Sequence, residues 1–294
     1  MAAVVGIAVT VKVFERRLPR IAYQLVVAVV LLAPLVATLY AIWLLWDQLI
    51  GWRELALFLG LWIATGFGVT VGFHRLLTHR SFETSPPVMA VLLALGSMAN
   101  QGRCIDWAAH HLKHHAHSDG DGDPHSPLRG FFYAHAGWIV SGSPAERERY
   151  CKRLLRDPVV LFTDRTQPLW ALAGLAFPYL AAGWRGLLWG GFVRIAFVSH
   201  TTFAVNSICH MFGSRPFDTD DESRNNPVIG LLALGEGWHN NHHAFPSMAY
   251  HGMTLRQVDL SGLLIRLLAR LGLVWNVKAP SALAVERRRR AVTA

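Results

Sequence analysis

Three stretches of the chain concentrate imidazoles: His74-Arg-Leu-Leu-Thr-His79, His110-His111-Leu-Lys-His114-His115-Ala-His117 and His239-Asn-Asn-His242-His243. All 15 histidines stand at or after position 74. Neutral imidazole is the commonest side-chain ligand for a metal ion. His111, His114 and His115 follow an i, i+3, i+4 pattern, and His239, His242 and His243 repeat it. On a 3.6-residue helix those offsets fall within about 100° of arc, so each trio shares one face. His74 and His79 stand about 140° apart on a regular helix, so they converge only where the helix unwinds. With His210, these make nine candidate ligands. A first-row metal ion accepts about six at most, so nine imidazoles suit two ions, and imidazole alone does not choose among iron, copper, nickel and zinc. Asp106, Asp119, Asp121, Asp123 and Glu236 are placed to accept the outer ring N–H groups and raise ligand basicity. His110, His117, His125, His135, His200 and His251 are expected in supporting or surface positions, and Cys209 in packing.

Such a centre needs elements that bring distant segments to one level. Ile21 to Trp46 is free of charge, as is Leu55 to Phe73. Each is long enough to cross a hydrocarbon core of about 30 Å. Residues 167–184 and 186–212 supply a third and a fourth span, the last interrupted by Arg194, His200 and His210. Val88 to Ala99 is apolar but short, and is expected to be buried or interfacial. Four spans place 25 of the 28 lysines and arginines on one side, which the positive-inside tendency identifies as cytoplasmic. His74 then marks the cytoplasmic end of the second span. His210, about 36 Å along the helix from Gly186, reaches the same rim, with Asn206 one turn earlier. The expected architecture is an all-α integral membrane protein, a single domain over residues 1–294. Its four transmembrane helices (21–46, 55–73, 167–184 and 186–212) carry a cytoplasmic helical cap (74–166 and 213–294) that holds a di-metal site.

Composition excludes other classes. The chain is 52% hydrophobic and only 16% charged, too apolar for disorder and poor in charge for a water-facing surface. The net charge of +9 comes with no aromatic-interleaved basic patch, so orientation and anionic lipid headgroups account for it better than nucleic acid does. Three cysteines without a CxxC pair fit a reducing compartment. Leu255 to Leu273 mixes leucines at helical spacing with Arg256, Arg266 and Arg270 and reads as a surface helix.

Five stretches, GFHRLLTHRSF (72–82), DWAAHHLKHHAHSDGDGDPH (106–125), RGFFYAHAGW (129–138), NSICHMFGSRPF (206–217) and GEGWHNNHHAFP (235–246), resemble the membrane fatty acyl desaturases. The likeness is greatest to the stearoyl-CoA (Δ9) desaturase-like group and its bacterial members. The resemblance implies an O2-dependent enzyme that inserts a cis double bond into a saturated acyl chain. It implies a non-haem di-iron centre held by His74, His79, His111, His114, His115, His210, His239, His242 and His243, with Asn206 acting through water. It also implies substrate contacts at Gln101, Trp107, Thr202 and Phe203. Histidine at 239 separates the chain from front-end desaturases, and Asn-Ser-x-x-His separates it from alkane hydroxylases. The expected substrate is a long-chain fatty acyl thioester or lipid; Gly137-Trp138 lacks the adjacent basic pair that follows it in animal acyl-CoA enzymes, which weakens the case for CoA and leaves lipid-linked or carrier-protein-linked chains open. No electron-transfer domain adjoins these motifs, so a separate ferredoxin, cytochrome b5-like protein or flavoprotein reductase is the expected donor. A hydroxylase or ketolase on the same scaffold, and a histidine-rich metal transporter, are the competing readings. The expected location is a bacterial inner membrane, with the active site and both termini cytoplasmic. In the second span Gly60, Ala64, Gly68 and Gly72 recur every four residues. The stripe either packs closely against another helix or borders an acyl tunnel at Ala64 and Gly68.

Overall fold

The computed structural model describes Trp43, residues 45–141 and residues 145–289. The first expected span, 21–46, therefore lies outside the described residues but for its last few. The rest is mostly helical. Helix α1 (Trp52–Phe67) begins where Glu54 accepts the Gly51 N–H at 2.8 Å. It continues without a break into a π-helical turn, Gly68–Thr78. Pro86 and Pro87 open α2 (Pro86–Met98), at positions whose N–H groups a helix leaves unpaired anyway.

These first two helices touch backbone to backbone. A Cβ added at Gly68 would come within 2.7 Å of the Gly96 Cα, and one at Gly72 within 2.8 Å of the Leu92 carbonyl oxygen. Among the described residues, nothing lies within 4 Å of a Cβ added at Gly60. Close helix packing is therefore what the lower part of the small-residue stripe serves. Helix α3 (Cys104–His117) follows. Asp157 then caps α4 (Pro158–Arg165) by accepting from the Val159 and Val160 N–H groups at 2.9 and 3.1 Å.

Two described helical stretches, Trp52–Thr78 and Gln167–His210, are long and apolar enough to cross a membrane. The second is not straight. Helix α5 (Gln167–Gly186) loses helical geometry at Ala182 and at Gly183, whose φ is 58° and ψ −147°. The chain reverses there and continues through a π-helical Leu187–Val193 into α6 (Arg194–Ser207). Arg194 Nη2 donates to the Gly174 carbonyl at 2.9 Å, although a straight helix would hold these residues about 30 Å apart. The fully buried guanidinium also donates to Gly190 (3.0 Å) on its own helix and to Met98 (2.6 Å) at the end of α2. The reversal thus falls inside the expected third span rather than after it, because glycine at 183 admits a backbone conformation that other residues avoid.

Short helices α7 (Pro227–Leu232) and α8 (His239–Ala244) and the longer α9 (Leu260–Arg270) complete the cap. Helix α9 is shorter than the surface helix expected over 255–273. It buries Ile265, exposes Leu263 and Leu267, and is tied to the π-turn by Thr70 Oγ1 and Ser261 Oγ, 2.7 Å apart. A two-residue antiparallel pair, β1 (Glu83–Thr84) with β2 (Val274–Trp275), closes the far edge.

Candidate metal centre

The first pair of histidines is aligned by the π-turn rather than by unwinding. The His79 N–H bonds the His74 carbonyl at 3.0 Å, an i to i+5 bond, and the wider turn brings the two rings to 4.8 Å. π-Turns inside helices recur at functional sites. On α3 the one-turn spacing works as expected, with His115 Nε2 3.1 Å from His111 Nε2. His210 ends a 3₁₀ turn (Ile208–His210) at the foot of α6. Helix α8 is held by its two fully buried asparagines. Asn240 Oδ1 accepts the Phe217 N–H (2.8 Å), and Asn241 Nδ2 donates to the His251 carbonyl (2.7 Å).

All nine sequence-derived histidines converge, in two groups. His74, His79, His111, His115 and His242 form one, and His114, His210, His239 and His243 the other. Within each group one nitrogen per ring lies within 4.8 Å of every other. The inward nitrogens face one another: Nε2 of His242 is 3.2 Å from that of His74 and 2.9 Å from that of His115. His111 and His79 stand at 2.9 Å, as do His210 and His239.

The outer nitrogens of four rings are occupied. His74 Nδ1 is 2.6 Å from Glu236, His114 Nδ1 3.0 Å from Asp123, His210 Nδ1 3.0 Å from Asp119, and His243 Nδ1 2.5 Å from Asp221. A neutral ring that donates from Nδ1 carries its lone pair on Nε2, so these rings turn acceptors, not donors, toward the shared centre. His243 Nε2 is buried and without a partner. Burial pushes His111, His115, His239, His242 and His243 well below the ordinary histidine range, which keeps them neutral. Converging imidazole nitrogens, several backed by a carboxylate, are what a pair of cations requires, so the donor set fits two first-row metal ions.

Three of the five carboxylates expected to brace imidazoles do so. Asp106 instead pairs with Arg147, and Asp121 is exposed in its loop. The fourth brace, Asp221, comes from the Asp-rich 218–222 stretch, whose acidic run was the only sequence signal for it. His251 is fully buried, its ring 4.6 Å from that of His242. Arg75, also fully buried, joins Glu236 (3.1 Å) to Asp259 (2.9 Å).

The polar substrate candidates meet beside the centre. Gln101 donates to Thr202 at 2.9 Å and accepts from the Trp107 indole at 3.2 Å, and Trp107 stacks on His111. A cavity of about 50 Å³ is lined by Trp62, Gly66, Thr70, Trp107 and Thr202 together with His74, His111 and His239. A second, of about 360 Å³, is bordered by Gln101, Trp107, Thr202 and Phe203. Asn206 lines both. Ala64 and Gly68 line neither, since the wall that α1 and its π-turn present is Trp62, Gly66, Val69 and Thr70.

Comparison with known proteins agrees with this geometry. The family model described as fatty acid desaturase matches residues 52–258. An sn-1 stearoyl-lipid 9-desaturase of Anabaena variabilis is 44% identical over 220 residues, covering 74% of this chain and 80% of its own length. A hex-5-enoyl-[acyl-carrier protein] acetylenase of Moorena producens is 39% identical over 274 residues, 86% of this chain and 85% of its own. An acyl-CoA C20 Delta5-desaturase of Anemone leveillei is 37% identical over 235 residues, 78% and 75% respectively. The chain belongs to the fatty acid desaturase family and is an oxidoreductase of that class.

Proposed function

We propose that this enzyme uses O2 and two external electrons to insert a cis double bond, at Δ9, into a long saturated acyl chain. The single observation that carries the reading is the convergence of nine histidines into a group of five and a group of four. They would hold two irons, with Asn206 acting through water. An unactivated methylene has neither an acidic proton nor a leaving group, and two reduced irons with O2 supply the oxidising power that side chains lack. The balance is O2, two electrons, two protons and two methylene hydrogens in, and one C=C and two waters out.

The chain's own residues do the remaining work. Trp62, Val69 and Val198 line an apolar approach to His74 and His111 and exclude water there. The Thr202–Gln101–Trp107 chain of hydrogen bonds fixes the wall against which an acyl chain would bend. The named relatives act on lipid-, carrier-protein- and CoA-linked chains, and the missing basic pair after Trp138 favours a lipid or carrier-protein head group over CoA. We place the enzyme in a bacterial inner membrane with four spans, its centre and both termini cytoplasmic. A separate ferredoxin, cytochrome b5-like protein or flavoprotein would reduce it.

The lipids of an expressing host test this directly. Mass spectrometry should show loss of two mass units from saturated chains. A gain of sixteen would mean hydroxylation, and conversion only of chains already unsaturated would mean an acetylenase. His114→Ala and His242→Ala should each abolish turnover and lower iron content, and retained activity in either refutes the ligand assignment.

A further inference from the structure

The two histidine groups differ in what stands behind them. Of the four rings in the smaller group, three hand Nδ1 to a carboxylate: His114 to Asp123, His210 to Asp119 and His243 to Asp221. No arginine or lysine among the described residues pairs with any of these three carboxylates. Arg215 reaches only the main-chain carbonyl of Asp221, and with Arg224 it pairs Glu222 instead. The remaining bonds to the three acids come from neutral donors, such as the Asp119 N–H on Asp123 (2.8 Å) and the Glu222 N–H on Asp119 (2.6 Å). Of the five rings in the larger group, only His74 is braced by a carboxylate among the described residues, Glu236. That charge is divided, because Glu236 also pairs with Arg75, which pairs with Asp259 in turn.

A carboxylate behind an imidazole raises its basicity and adds negative charge a few ångströms from the ion. We infer that the two halves of the centre hold divalent metal unequally, the four-histidine half being the tighter and the first to fill. The inference rests on the two-metal reading and adds an order of loading set by Asp119, Asp123 and Asp221.

The test is a titration of Co2+ into the full-length, metal-free protein in detergent. It is followed by the cobalt d–d absorption and by metal analysis after gel filtration. The wild type should take up two Co2+ in two resolved steps. His239→Ala should remove the tighter step and His115→Ala the weaker. Asp221→Asn, nearly isosteric and at the edge of the buried zone, should weaken the tighter step about 10- to 100-fold and leave the other in place. Glu236→Gln should spare the tighter step. Two equal affinities in the wild type, a measurement that needs no variant, would overturn the inference, as would Asp221→Asn acting on the weaker step. Uptake of fewer than two Co2+ by the wild type would instead overturn the two-metal reading itself.

Discussion

Gly68→Ala separates two roles that small residues on a membrane helix can play. A Cβ at position 68 would sit 2.7 Å from Gly96 Cα, 0.7 Å inside the 3.4 Å at which ordinary contact begins. The obstruction is backbone, so it cannot swing away as a side chain would. On the opposing helix, a Cβ at Gly96 would meet the Gly68 carbonyl oxygen at 2.7 Å, so neither helix has room to yield locally. Forcing the pair apart costs about 1–3 kcal/mol, the usual range for overpacking, or roughly 2–12 °C in Tm for a chain of this size. Position 68 faces α2 and is not among Trp62, Gly66, Val69 and Thr70, the residues that α1 and its π-turn give to the cavity wall. The variant, purified in detergent, should therefore melt earlier and turn over more slowly, while the chain-length profile of its products stays unchanged. Thr70→Leu, on the cavity wall, should shift that profile toward shorter chains. A shortened product profile from Gly68→Ala at wild-type Tm would refute the packing argument and restore the tunnel role of position 68.

Other expectations follow from the same geometry. Gly183→Ala should cost about 1–3 kcal/mol, because φ 58° with ψ −147° is a region that residues with a Cβ rarely enter; an unchanged melting temperature would mean that the reversal lies elsewhere. Gln101→Ala strands the Trp107 indole and leaves the Thr202 hydroxyl only its bond to the Val198 carbonyl, and should lower kcat/KM roughly tenfold or move the double bond, with metal content constant; loss of metal would show a role in the centre instead. Burial opposes the charge of Glu236 and Asp259, yet His74, His251 and Arg75 hold Glu236 below the usual carboxylate range, and Arg75 does the same for Asp259. Depressed carboxylate pKa values add stability above the unfolded value of about 4 and lose it as pH falls further. The Tm of the metal-free protein should therefore fall as pH drops below about 6.5, where the unfolded chain protonates histidines that burial keeps neutral in the fold, and fall further below about pH 4 as these carboxylates protonate; a flat profile through pH 4 would show that the carboxylate cluster adds no net stability.

What could be read from the sequence was periodic and local. One-turn spacing on a helix brings His111 to His115 and His239 to His243 onto common faces whatever surrounds them, and long charge-free runs announce apolar helices by length alone. The nine ligand candidates and the polar trio Gln101, Trp107 and Thr202 were legible on those grounds and through the family motifs. The tertiary structure decided what depends on contacts between distant segments. It divided the histidines into five and four, a split that no spacing encodes because α3 and α8 each contribute to both groups. It chose Asp221 over Asp106 and Asp121 as a brace, since a carboxylate serves whichever cation or N–H the fold brings near and Arg147 reached Asp106 first. It replaced an unwound helix end with a π-turn, aligning His74 with His79, and it turned the chain back at Gly183. Helical periodicity fixes which side chains share a face, but which face meets which is settled by packing between segments that can lie 20 residues apart in sequence, as Gly174 and Arg194 do, or 168, as His74 and His242 do.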